Sequence, residues 1–194
     1  MKYHSSNIKT NSNIKNEMIA YLKGLITDKI SMKKYNSITM VCIGTDRSTG
    51  DSLGPIVGDF LGEKSWKNVN IIGNLENPLH AKNLKERIEH IPNDSLVIGI
   101  DACLGCLETV GCISIKDKPL HPGAGVDKEL PLVGDISITG NVNLSGSLEF
   151  MTLQNTRLYT VIELAKGITN ILSEVIPFVN LNIGVEELKE EIIS

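Results

Sequence analysis

Apolar residues in this chain fall into two patterns, short continuous runs and helix-spaced stretches, and the two alternate. Met18, Ile19, Leu22, Leu25 and Ile26 recur at intervals of three and four, which predicts a first helix. Ile38 to Ile43 is a continuous apolar segment that stops at Gly44, the pattern of a buried strand. A polar loop, Thr45-Asp46-Arg47-Ser48-Thr49-Gly50, follows. A helix is predicted from about Ser52, with Pro55 in its first turn, where the missing N–H costs little. Val69 to Ile72 predicts a second strand, and His80 to His90 a polar-faced helix ended by Pro92. Ser95 to Ile100, with its run Leu96-Val97-Ile98-Gly99-Ile100, predicts a third strand that ends at Ile100 and is followed directly by Asp101. Val110 to Ile115 and Ile136 to Val142 are further strand candidates, and Lys118 to Pro131, dense in Pro and Gly, is loop. From Gly146 to about Val175 the spacing is helical, with a break expected near Gly167. Val185 to Ile193 predicts a short amphipathic helix or tail.

Strands alternating with helices predict an α/β fold with a largely parallel sheet, and near-continuous apolar strands predict that both faces are covered. Residues 1–14, rich in Ser, Asn and Lys, are expected to be disordered or loosely attached, leaving 15–194 as one domain. The 194-residue length suits a single core. No apolar run approaches the ~20 residues of a membrane helix, and the polar N-terminus lacks the apolar stretch of a secretory signal. A cytoplasmic protein is therefore expected. The formal charge of −4 gives no basic face for nucleic acid.

Chemistry enters at the strand ends. In open α/β sheets ligands gather in the crevice outside the carboxyl ends of the strands. The first strand leads into a loop carrying Asp46 and Asp51, and the third leads into Asp101. If both strands are parallel and central, these carboxylates share one edge. Two close carboxylates can share a proton, activate a water or hold a divalent cation. Asp51 could instead cap the following helix, and Asp101 could satisfy loop amides. Arg47 could orient a carboxylate by a bidentate contact or sit in a surface ion pair, and Arg157 has the same two options. His80 lies at a loop-to-helix boundary, at the rim of the site or simply on the surface. His121 sits in a Pro/Gly loop, as ligand, base or solvated side chain, while His90 at a helix end is read as dipole-compensating or exposed.

Cys103 and Cys106 form a C-x-x-C pair with Cys112 six residues on; zinc would need a second pair or a well-spaced His, so packing beside a strand end is the simpler reading. Neither Ser48 nor Ser52 stands in a G-x-S-x-G elbow, and the Gly44–Gly50 loop lacks the Lys and spacing of a P-loop.

Several segments resemble the YyaC sporulation protein family: Cys42-Ile43-Gly44-Thr45-Asp46-Arg47-Ser48-Thr49-Gly50-Asp51-Ser52-Leu53-Gly54-Pro55, Asn77-Pro78-Leu79-His80-Ala81, Ile100-Asp101-Ala102, Pro122-Gly123-Ala124-Gly125, Leu130-Pro131-Leu132-Val133-Gly134-Asp135 and Gln154-Asn155-Thr156-Arg157-Leu158. That family is in turn similar to the spore germination protease and the hydrogenase maturation proteases. The resemblance implies a three-layer α/β/α sandwich around a mostly parallel sheet. It also implies a sporulation-associated peptidase with Asp51 and Asp101 as the catalytic pair and His121 as their companion; Asp46, Arg47 and His80 are candidates for substrate binding or support from their positions. Its substrate would be a protein or peptide, such as small spore proteins, and no cofactor would be needed. Likeness to the maturation proteases implies an alternative in which Asp51, Asp101 and His121 hold a divalent metal ion. A non-catalytic sporulation protein using the fold as a binding scaffold is a further alternative. An exposed face on the final helix would allow a homo-oligomer. The chain departs from these relatives in carrying Thr45 where Asn is usual, and it is much shorter than the germination protease.

Overall fold

A computed structural model describes residues 1–123 and 130–183. The strands are β1 (Lys2–His4), β2 (Ser37–Cys42), β3 (Val69–Ile72), β4 (Ser95–Gly105), β5 (Cys112–Lys116) and β6 (Ile136–Leu144). The helices are α1 (Ser5–Thr10), α2 (Ser12–Met32), α3 (Leu53–Gly62), α4 (Leu84–Ile88), α5 (Glu149–Gln154) and α6 (Leu158–Asn182). The six strands form one sheet in the order β1-β5-β6-β4-β2-β3. β3, β2, β4 and β6 pair in parallel, and β5 alone runs against its neighbours.

Alternation along each strand sorts the side chains into two layers. Met40 and Cys42 of β2, with Ile98 and Ile100 of β4, face a thick layer made of α1, α2, α3 and α6. Leu164, Ile168 and Leu172 of α6 fill the centre of that layer and are fully buried. Val41 and Ile43 face the other way, into a thin layer where Leu84 of α4 packs with Leu79, Leu120 and Val133. The fold is thus the expected α/β/α sandwich, with one outer layer built largely from loops.

Four expectations change. Residues 1–14 are not loosely attached: β1 pairs with β5 and forms one edge of the sheet, and α1 buries Ile8 against the thick layer. The sequence there lacks an apolar run because an edge strand of three residues needs only one inward side chain, Tyr3. The helix expected over 80–90 shrinks to Leu84–Ile88, because the His80 N–H is taken by the Asn83 side chain in a turn. β4 does not stop at Ile100 but runs on to Gly105, carried by parallel pairing of Asp101 with Thr139 and Ala102 with Gly140. The last helical stretch breaks at 155–157 rather than at Gly167. Gly167 is instead a close-packing position, where an added Cβ would lie 2.7 Å from Ile113 Cδ1. The segment expected as a helix or tail over Val185 to Ile193 lies outside the described residues.

Among the described residues no helix is long and apolar enough to cross a membrane.

Candidate functional site

From β2 the chain passes to β3 on one side and then crosses to β4 on the other, so the strand order reverses between β2 and β4. A crevice opens at the carboxyl ends of strands at such a switch point. Here it is a cleft of about 250 Å³ whose lining includes Thr45, Arg47, Ser48, Asp51, His80, Lys82 and Asp101.

The backbone after β2 is shaped to bring Asp51 there. Ile43 N–H continues the ladder to Ile100 O (2.8 Å), Gly44 N–H donates to Leu79 O (2.7 Å), and Thr45 N–H donates to Asp51 O (3.1 Å). The loop therefore folds back on itself, and a 3-10 turn at Gly50–Ser52 leads into α3. Two glycines make this possible. Gly44 has φ +141°, and a Cβ there would collide with the Asp51 carbonyl. A Cβ at Gly54 would collide with the Ile43 carbonyl, so α3 could not start this close to β2. Asp51 is a loop-to-helix residue, as expected, but its side chain does not cap α3: the Ser52 cap position carries no side-chain hydrogen bond.

Asp101 is held differently. It lies within the central strand, 7% exposed, on the face opposite Ile100 and Ala102. Its Oδ1 accepts the Ala102 N–H at 2.7 Å. Burial pushes the Asp101 carboxyl well above the usual carboxylate range, the nearby Asp51 charge pushes it further, and the Ala102 N–H opposes both. Asp51 is also raised by burial, against the Thr45 N–H and the charge of His80. Burial thus raises both carboxyls, and a charge on Asp51 favours the proton on Asp101.

Of the other sequence candidates, Arg47 and His80 line the cleft. Asp46 is exposed and outside the lining, where it accepts a long bond from the Thr45 hydroxyl (3.4 Å). His121 is exposed as well; its neighbours Pro122 and Gly123 line the cleft, but His121 does not. The set Asp51, Asp101 and His121 is therefore not brought together, and among the described residues no three His, Cys, Asp or Glu side chains are grouped to hold a metal ion. Arg157 lies outside the cleft lining, over the Tyr159 ring (5.8 Å to the centroid). All four cysteines are free; Cys42 is buried and its thiol is pushed up to about 12 by burial, with the Asp59 charge adding to it.

No local signal marks Ser48 and Lys82 as cleft residues. Ser48 joins the lining through the fold-back of the loop. Lys82 reaches the cleft because the segment after β3 is tied to β2 by an isolated parallel bridge, Ile43 to Leu79.

An α/β protein with a carboxylate pair at the switch point of its sheet is the class that fold and site define. The chain belongs to the family described as protein of unknown function DUF1256, whose model matches residues 6–171. It is 50% identical over 140 residues to the protein YyaC of Bacillus subtilis (strain 168), a match covering 71% of this chain and 66% of that protein. The chain thus spans just under two thirds of that relative's length. Among solved structures it is similar to a NiFe hydrogenase maturation protease, HycI, from Thermococcus kodakarensis KOD1, at TM-score 0.47 and 17% identity, covering 73% of this chain and 93% of that one.

Proposed function

We propose that the protein is a peptidase that hydrolyses peptide bonds with Asp51 and Asp101, acting on small proteins in the sporulating cell. The observation that carries this reading is the placement of two carboxyls in one cleft at the switch point of the sheet: Asp101 buried within β4 and Asp51 half-buried in the turn that leads into α3. Two carboxyls in unequal environments can divide into an acid and a base. The sporulation setting rests on the resemblance of the sequence motifs.

In the proposed reaction, ionised Asp51 takes a proton from a water molecule, which attacks the scissile carbonyl carbon. Protonated Asp101 donates a hydrogen bond, and then its proton, to the carbonyl oxygen as charge develops there. When the C–N bond breaks, Asp51 returns its proton to the leaving amine, and Asp101 recovers its own from the collapsing intermediate. The exposed Phe150 ring and buried Leu153 of α5 give the cleft an apolar rim against which a peptide side chain can lie.

The test is incubation of the purified full chain with small spore proteins and with a mixed peptide library, read by mass spectrometry. Cleavage that disappears in Asp101→Asn and Asp51→Asn is the expected result. Full cleavage by Asp101→Asn removes that residue from the mechanism. Absence of any cleavage, across acid to neutral pH and with or without divalent cations, points to a binding scaffold instead.

A further inference from the structure

Two atoms of the cleft-lining residues are cut off from solvent and have no hydrogen-bond partner among the described residues: Ser48 Oγ and His80 Nδ1. Ser48 is 7% exposed. Buried polar groups are nearly always satisfied, so an orphaned hydroxyl in a cleft wall calls for a partner that the protein itself does not supply. The residue before it, Arg47, lines the same cleft, and so does Lys82 from the separate segment after β3. Both side chains are exposed. Among the described residues neither is in an ion pair. In a chain of net charge −4, two unpaired cations therefore share a cleft with an unsatisfied hydroxyl.

All three groups can donate hydrogen bonds, and the two cations cannot accept them. The complement is an anion with more than one acceptor oxygen. A guanidinium matches a carboxylate in two parallel bonds. Phosphate offers the same oxygens but carries up to two charges, and beside ionised Asp51 it meets the greater repulsion.

We propose that Arg47, Ser48 and Lys82 form a carboxylate subsite, so that the substrate is a peptide presenting an acidic side chain, or its own C-terminus, at this point of the cleft. The inference names a substrate class for the peptidase reading and rests on it, but it is tested by binding rather than by cleavage. Arg47 and Lys82 are positioning residues here: they fix the peptide and take no part in the proton transfers.

The experiment is a nuclear magnetic resonance titration of the labelled full chain in low-salt buffer with four probes. These are N-acetylglutamate methylamide, N-acetylglutamine methylamide, N-acetylalanine with its free carboxylate, and inorganic phosphate. The Arg47 Nε–H and Ser48 amide signals are expected to move with the glutamate compound or with N-acetylalanine and to stay still with the glutamine compound. Which of the two carboxylates binds more tightly tells a side-chain carboxylate from a chain terminus. The Arg47→Gln, Lys82→Gln double variant, whose own spectrum reports whether it is folded, is expected to bind at least about tenfold more weakly, the equivalent of about 1.4 kcal/mol. Equal shifts with the glutamine compound, shifts with phosphate alone, no shift at these residues, or undiminished binding by the folded double variant overturns the proposal. Failure of cleavage with carboxylate-selective shifts intact sinks the peptidase reading alone; cleavage with carboxylate-blind shifts sinks the subsite alone.

Discussion

Asp101 shows how one side chain trades stability for chemistry. Its folded-state pKa lies well above that of an exposed aspartate, so between the unfolded and folded values the folded protein holds a proton that the unfolded chain has released. Stability is free of this penalty at acid pH and falls as pH rises through the raised value. Asp101→Asn removes the penalty and can keep the bond from the Ala102 N–H. The variant is expected to melt higher than the parent at neutral pH, by roughly 2–4 °C for each kcal/mol relieved, with the gap closing in acid; thermal unfolding at two pH values checks this. Under the proposed mechanism the same pair governs rate: hydrolysis needs Asp51 ionised and Asp101 protonated, so kcat/KM is expected to follow a bell whose two limbs belong to the pair. Because both are raised by burial, the optimum lies above the ordinary carboxylate range. A flat profile across that range contradicts the dyad.

At the scale of elements, the turn from β2 into α3 depends on backbone contacts that admit no side chain. Gly54→Ala puts a Cβ into the Ile43 carbonyl, and the chain must move apart to admit it. A loss of about 1–3 kcal/mol is expected, the usual cost of overpacking, read as a lower denaturation midpoint in urea, together with reduced activity because the same shift displaces Asp51. Ile168→Ala, in the fully buried centre of α6, is expected to cost about 2–5 kcal/mol while leaving the cleft residues in place. Strands β2 to β6 and the strand-end placement of Asp51 are legible in the sequence, because apolar runs and the Gly44 stop are local signals. The extension of β4 past Ile100 is not, because a carboxylate after Val97-Ile98-Gly99-Ile100 looks like an ending. The strand is kept going by its partner β6, a tertiary effect no local pattern records. Gly167 misled for the same reason, since a packing glycine and a helix-breaking glycine are written alike.

At the scale of the molecule, the N-terminal segment closes one edge of the sheet and the thick helical layer closes one face. Deleting residues 1–10 would expose the β5 edge and the apolar surface covered by Ile8. Open edges and apolar patches invite association. The truncated chain is expected to be less stable and to self-associate at concentrations where the full chain does not, as light scattering would show.

The parallel pairing of β2 with β4 also makes a condition for folding. Asp51 and Asp101 are far apart in the chain and meet only when Cys42 stands opposite Ile100. A slip of one residue in that register would turn Asp101 into the apolar layer and present Ile100 to the cleft. A misregistered chain would therefore lack the site altogether rather than have a weaker one, so recovery of activity after denaturation would count correctly paired molecules more directly than the recovery of helical signal does.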